Sequence, residues 1–519
     1  MLKPSNGQAS FFDVESIAPN LVDPDSFAMR LRATANDIFS DAHFADMYAD
    51  HGRPARSPKV MIMALILQQR QNLSDRQMEQ ATRFNMELKA ALGLALNDPG
   101  IPKTCYSEFR SRLIACGREC EAFNAVNRLL LERGLLTKHE VLIVDSCHLE
   151  ADAATPNARL LIRKATRRIL RQLDVERPDL YKQLPETITL RKDTDFSGGQ
   201  GYYLQPEAER QEQFGKAVRE ARALLAYLQP KRLSAKLQGQ LAVLADILED
   251  RADDDDDPLE GEQAPPDRIA SHQDPDARWG AKGRQKFFFG FKRTHLQTLR
   301  GLIADFDVDP GNTPDGAVLP GLLASAKEMF GLAPAKVIGD AAYGSVANLR
   351  DAKAQGYHLV AAIKPAPNPR GCWSRDRFQF DPEAKSLSCP AGQCTTTAFP
   401  APKGEGLVFR FQTHQCGACP RKAECCLGDC RSVKVAETVP DLGEALAYGK
   451  TDAYKADMKL RPVIEGKNAE LTRFTGGRRT RFRTLGRVML GEALRCAVVN
   501  LKRMFKLLNG TSPLGLAAA

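Results

Sequence analysis

The sequence predicts an α/β protein: a mixed sheet flanked by helices, with an all-α N-terminal domain, a helical insertion and a small Cys-rich insertion. Three observations carry this. Two short apolar runs, Val141–Val144 and Val337–Ile338, have the composition of buried central strands, and each is followed closely by an aspartate, Asp145 and Asp340. The pattern around them reads strand, strand, strand, helix, strand, helix, strand. Seven of the thirteen cysteines fall between Cys389 and Cys430, in a stretch rich in Pro and Gly with no helical period. At 519 residues the chain exceeds what one core can serve, so three or more units are expected.

Residues 1–45 are weakly patterned and read as an N-terminal arm. Helical patterning fills 46–136. "SPKVMIMALILQQR" is an apolar helix, and Ser74 with Gln77 has capping-box spacing for the next one. Several short helices carrying Arg suit a helix-turn-helix-like DNA-binding unit and suit a plain helical bundle equally well. The first strand, in 137–151, is expected to stop at Asp145. From 152 to 265 long polar helices form an insertion, ending in the run Asp253–Asp257, which reads as a solvated loop and acidic linker. The β pattern resumes over 266–365 with "QKFFFGFKRTHL", "GLIADFDVDPGN", a helix near 315–330, the Asp340 strand, a helix through Leu349 and "YHLVAAIKP". Residues 137–151 and 266–365 are therefore expected to make one domain core. The Cys-rich insertion covers 366–435, and helices return over 436–510.

Composition narrows the function classes. The longest apolar run, residues 60–67, is far too short for a membrane span, and no basic-then-apolar leader opens the chain, so a cytoplasmic location is expected. The formal charge is +9, and ten Lys or Arg against Glu492 alone between Arg473 and Lys506 account for an equal excess. Clustered guanidinium groups suit phosphate, although a solvated helix face gives the same pattern. For Asp340 two readings stand: a helix cap for the segment after Ser345, or a metal ligand with partners elsewhere. Asp145 is the first such partner. Glu465, on a helix whose apolar face is Val463, Ile464 and Leu471, is the candidate third acid, with Arg461 one turn before it. Cys416 and Cys419 have zinc-knuckle spacing, flanked by Cys389 and Cys425. A structural Zn²⁺ and reduced, partly buried thiols are both open, and Cys394, Cys426 and Cys430 leave the ligand choice ambiguous. His148 near the first acid needs no role beyond local hydrogen bonding.

At these residues the chain resembles the bacterial insertion-sequence transposases of the DDE type. "FADMYADHGRPARSPKVMIMALILQQRQNLSDRQMEQATRFN" is similar to that family's N-terminal helical domain. "VLIVDSCHLEA", "DPDARWG", "FGFKRTH", "VDPGNTPD", "VIGDAAYGSVANL", "EGKNAELTRFTGGRRTRFRTLGRV" and "VVNLKRMF" follow in family order. The likeness covers the chain except 152–265. Two positions depart from the family signature around the glutamate: Met458 and Thr472 stand where a Tyr and a Lys are usual, with Arg473 one place late.

The resemblance implies an RNase H-like core with Asp145, Asp340 and Glu465 as a metal-binding catalytic triad. It implies two Mg²⁺ (or Mn²⁺) ions about 3.5 to 4 Å apart, and a zinc-ribbon-like Cys insertion. The substrate implied is double-stranded DNA, terminal inverted repeats and target, cut and joined by a homo-oligomer. DNA contacts are expected from the N-terminal helices and from Arg461, Arg473, Arg478, Arg479, Arg481, Arg483, Lys502 and Arg503. Alternatives are another RNase H-like DNA nuclease and a domesticated, non-catalytic DNA-binding protein.

Overall fold

The computed structural model describes residues 1–2, 12–191, 204–259, 265–282, 286–363, 371–401, 406–435, 439–474 and 476–509. The expected boundaries near 365–366, at 436 and at 510, and residues 260–264 of the acidic linker, lie outside them.

The N-terminal region is helical: α1 (Val14–Ile17), α2 (Phe27–Ile38), a 3₁₀ turn (Asp41–Met47), α3 (Pro58–Gln71), α4 (Asp75–Phe84), α5 (Met86–Leu92), α6 (Lys103–Ala115) and α7 (Glu121–Glu132). Met61 to Leu67 of α3 are all buried, so this helix is apolar on every side and runs through the middle of the bundle. Ser57 caps it, Asn72 ends it in the left-handed conformation (φ 55°), and the Ser74–Gln77 capping box opens α4. Of the arm expected over 1–45, residues 27–45 pack into this domain. Leu31, Ala35, Phe39 and Phe44 are buried in the main core, a partnership made with residues far along the chain that weak local periodicity could not reveal.

β1 (Val141–Glu150) leads into the insertion, built from α8 (Ala158–Glu176), α9 (Pro178–Lys182), α10 (Glu207–Leu228) and α11 (Ala235–Arg251). These helices close their own core, with Ile162 and Ile169 against Val218, Leu224, Leu244 and Ile247. The acidic run is solvated as expected at Asp253, Asp254, Asp255 and Asp257, and Asp256 pairs with Arg222 of α10.

The sheet continues with β2 (Arg278–Ala281), β3 (Phe287–Thr298), β4 (Ile303–Pro310), α12 (Asp315–Phe330), β5 (Lys336–Ile338), α13 (Val346–Gln355) and β6 (His358–Val360). Its order is β2-β3-β1-β5-β6, with β4 also on β3. The β2, β3, β4 and β1 pairings are antiparallel, and β1-β5-β6 are parallel, which is the expected RNase H-like mixed sheet. Alternate residues face opposite sides. Leu142, Val144 and Val337 join the main core, while Ile143, Ile338 and Val360 pack on Ile464 of α18 (Val463–Ala469).

The Cys-rich unit holds two three-stranded sheets, β7 (Gln379–Asp381), β8 (Ser386–Ser388), β9 (Cys394–Thr395) and β10 (Ala398–Pro400), β11 (Leu407–Arg410), β12 (Ser432–Val435). Two short helices, α14 (Thr413–Gly417) and α15 (Lys422–Cys425), sit between β11 and β12, and Trp373, Phe378, Phe409 and Phe411 fill the centre. The chain then runs through α16 (Val439–Tyr448), α17 (Asp452–Met458), α18, a π-helical turn (Glu470–Phe474) and α19 (Leu485–Leu508).

α19 packs against α3, α6, α7 and β4. Its Glu492 receives Arg293 of β3 at 2.6 Å, both side chains buried, and also Arg495 at 3.1 Å. Its Asn500 bonds Asn127 of α7 (2.7 Å) and both the N–H and carbonyl of Ile303 (2.8 Å each). Replacing Glu492 by Ala leaves a buried guanidinium without its counter-charge, so E492A is expected to lose about 3–5 kcal/mol in urea unfolding. The double change R293M/E492L should lose much less.

Candidate active site

β1 does not stop at Asp145. Its antiparallel partner β3 stays paired to the end, from Leu142 opposite Thr298 to Glu150 opposite Gly290. The parallel partner β5 stops at Ile338, paired with Ile143. Asp145 therefore lies just past the point where β5 leaves β1. Asp340 lies two residues beyond the end of β5. Gly339 makes this approach possible: a Cβ there would stand 3.0 Å from Val144 Cγ1 and 2.9 Å from Tyr343 Cδ2. The cap reading of Asp340 fails, because Ser345 caps α13 by accepting from Asn348 N–H at 3.2 Å. Asp340 Oδ1 instead accepts from the Ala342 N–H at 2.7 Å and holds the turn after the strand.

The two carboxylates line one cavity of about 600 Å³, together with Ser146, Cys147 and His148 of β1, Lys282, Phe288, Lys292, Asp315, Arg461, Asn468, Thr472, Arg473 and Arg478. Asn468 Nδ2 donates to Asp145 Oδ2 at 2.8 Å. Burial pushes the Asp145 carboxyl up to about 6. The Ser146 N–H, Arg461 and Asn468 oppose that rise, and the Asp340 charge adds to it. Lys292 is held by Asp315 (2.8 Å) and the Thr313 carbonyl (2.9 Å). His148 lies against Phe288 with ring centroids 5.1 Å apart, and burial, Lys282 and Arg478 lower its pKa.

Glu465 is on α18 as expected, but it is exposed and not among the residues lining this cavity. It sits one turn before Asn468, which does reach in. Among the described residues no group of three or more His, Cys, Asp or Glu is arranged to hold a metal ion. Two carboxylates in one cavity do suit a hard cation: Mg²⁺ takes few protein oxygens and completes its shell with water and substrate phosphate, and a cation would offset the burial, and the smaller Asp340 repulsion, that raise Asp145.

The expected DNA-contacting cations divide into three groups. Arg461, Arg473 and Arg478 line the cavity. Arg479, Arg481 and Arg483 continue from it along an exposed loop tied down at both ends. The Glu150 N–H donates to the Arg478 carbonyl (2.8 Å), the Arg481 guanidinium donates to the Asn72 carbonyl (3.0 Å), and Arg483 Nη2 donates to the Asp152 carbonyl (2.8 Å). Lys502 and Arg503 lie elsewhere, on a separate cavity of about 340 Å³ beside the other face of α18, where Lys502 meets Glu470 (2.8 Å) and Arg503 donates to the Arg300 carbonyl (2.6 Å). Cys389, Cys416, Cys419, Cys425 and Cys426 line one void of about 20 Å³, and no three of them are disposed to hold a metal ion. Burial and the neighbouring thiols push the Cys425 thiol up to about 11.

Sequence reading missed Asn468, Lys282, Lys292 and Asp315. Asn468 had a signal in its place three residues after Glu465, on the same side of a helix. Lys292 becomes a site residue only through its register opposite His148, which no local pattern specifies.

The raised Asp145 pKa has a stability consequence. The folded chain keeps a proton there above the ordinary carboxylate value of 3.8, so that contribution is complete below about pH 4 and is lost as pH rises through about 6. In metal-free buffer D145N should therefore be more stable than the native chain at pH 7.5, by about 1–3 kcal/mol. The gap should close below pH 4, read by urea unfolding across pH.

Two family models match the chain. The Transposase domain (DUF772) matches residues 17–112 and the Transposase DDE domain matches residues 253–501. No curated protein and no solved structure gives a significant match.

Proposed function

Because the chain belongs to the DDE-type transposases, we propose that it binds the terminal inverted repeats of an insertion sequence, cleaves the DNA at the element's ends and joins them to target DNA. The observation that supports this most is the pairing of Asp145 and Asp340 in one cavity with Arg461, Arg473, Arg478 and Lys282. Carboxylates for a cation and guanidinium groups for phosphate are the two needs of phosphodiester chemistry.

In this reading Asp145 and Asp340 hold divalent cations, Mg²⁺ or Mn²⁺, and Glu465 completes the set from α18. When bound, such cations supply Lewis acidity to the attacking and leaving oxygens of an in-line displacement. Asn468 orients the Asp145 carboxylate. Arg461, Arg473 and Arg478 bind the non-bridging phosphate oxygens and hold the scissile bond over the carboxylates. Thr472 and Arg473 together stand at the departure from the family signature, and Arg473 supplies the cation there. Hydrolysis places a water oxygen on the phosphorus and releases a 3′ hydroxyl. In strand transfer that hydroxyl attacks a target phosphodiester and a second 3′ oxygen leaves. Two ends must be held at once, so the acting species is a homo-oligomer on DNA.

The Cys-rich unit is read as a structural zinc site. Cys389, just past β8, with Cys416 of α14, Cys419 of the following turn and Cys425 of α15, is the donor set a tetrahedral Zn²⁺ would take, and these thiols line one small void. Elemental analysis of the purified chain should find one zinc, lost in C416S/C419S together with a lowered melting temperature. Zinc-free native protein of unchanged stability refutes the site.

D340A should abolish Mg²⁺-dependent cleavage of terminal-repeat duplex, a fall of at least about 10³-fold, while gel-shift binding persists. E465Q should do the same. Cleavage surviving in D340A defeats the reading of the site, and survival in E465Q alone moves the third acid elsewhere. Native protein that binds the repeats without cutting them points to the non-catalytic alternative.

A further inference from the structure

The helical insertion lies outside the two matched domains except at its C-terminal end, and it closes a core of its own. One of its faces has an unusual charge. Between Ala158 and Leu173, α8 carries six Lys or Arg and no acid. Leu161, Ile162, Ala165, Ile169 and Leu173 are buried, which leaves Lys164, Arg168 and Arg171 exposed at one-turn spacing before the first acid of the helix, Asp174. A helix face that serves only solubility mixes signs, because like charges at this spacing repel. A uniform face is retained where a polyanion covers it.

The position of this face is equally informative. Arg168 Nη1 donates to the His272 carbonyl at 2.8 Å, and two residues on Asp274 accepts from the Thr484 N–H at 2.9 Å. Arg483, next to Thr484, donates to the Asp152 carbonyl where the chain enters the insertion. The insertion is thus fastened to the Arg-rich loop whose first member, Arg478, lines the carboxylate cavity. His272 registers the result: burial first, then Arg168, Lys164 and Arg483, hold its pKa down to about 4. Asp274 and Asp276 are the acids nearest this junction; they accept from the N–H groups that open α19, and Asp274 also feels the Arg483 charge.

We propose that the insertion is a DNA-backbone-binding arm, in which Lys164 and Arg168 continue the cationic track that leaves the carboxylate cavity through Arg478 and Arg483. The contacts are to phosphates and carry no sequence information, so the arm holds duplex beyond the cleaved end. This rests on the transposase reading above.

The test uses the full chain, K164Q/R168Q, and a control of equal charge loss on the far turn of the insertion, K231Q/K236Q. The probe is a duplex carrying the terminal repeat and its flanks. Every phosphate that is no longer neutralised lowers the slope of log affinity against log salt by about 0.9. K164Q/R168Q should therefore lower that slope by about 2 and shorten the nuclease footprint at one end, with the control unchanged. Native slope and footprint in K164Q/R168Q overturn the proposal while the transposase reading stands. An equal fall in the control also overturns it, because the effect is then net charge alone. A native chain with no affinity for the duplex overturns both.

Discussion

The burial of α19 between the N-terminal bundle and the sheet is the constraint on which the other parts depend. A 24-residue helix with fifteen buried residues has no stable existence outside a prepared groove, and this groove has one wall from the N-terminal helices and one from strands in the middle of the chain. Hydrophobic contact supplies the driving force, but it is non-directional. Register comes from the polar seam, where Arg293 meets Glu492 and Asn500 meets both Asn127 and Ile303. Each buried polar group finds a partner at one setting of the helix only, since a slip leaves a charge or an amide unpaired in the core. The contact of Phe27 with Phe505, ring centroids 5.6 Å apart, extends the lock to α2.

What α19 fixes, the site uses. The loop ahead of it is caught at Glu150, Asn72, Asp152 and Asp274, so its arginines are held on a rigid support beside the carboxylates. The cavity combines two charges of opposite need. Asp145 and Asp340 are close enough for one to raise the other's pKa, and the same cavity is ringed by guanidinium and ammonium groups. Burial is the larger cause of the raised Asp145 pKa and the Asp340 charge the smaller, so the carboxylate stands in surroundings that disfavour its charge.

The insertion and the Cys-rich unit each have a separate core and can be added to the sheet without repacking it. The first leaves β1 after the acid that β1 positions, and the second enters after β6. Both therefore sit at strand ends that open toward the site side of the sheet, where added surface can meet a long polymer.

Much of this was legible in the sequence because it depends on local pattern. Apolar runs of four residues mark central strands. The Ser74 and Gln77 spacing marks a helix start, and clustered thiols mark a small self-contained unit. The mixed α/β sheet and the position of two aspartates close to strand ends followed from such signals. Tertiary structure decided what depends on pairing between distant segments. It carried β1 past Asp145, because hydrogen bonding to β3 continues where β5 has ended. It drew residues 27–47 into the main core, brought Asn468 and Lys292 to the acids, and left Glu465 exposed one turn away. Residue type and spacing determine which chemistry a chain can offer; the register of strands and the burial of one helix determine which of those residues meet.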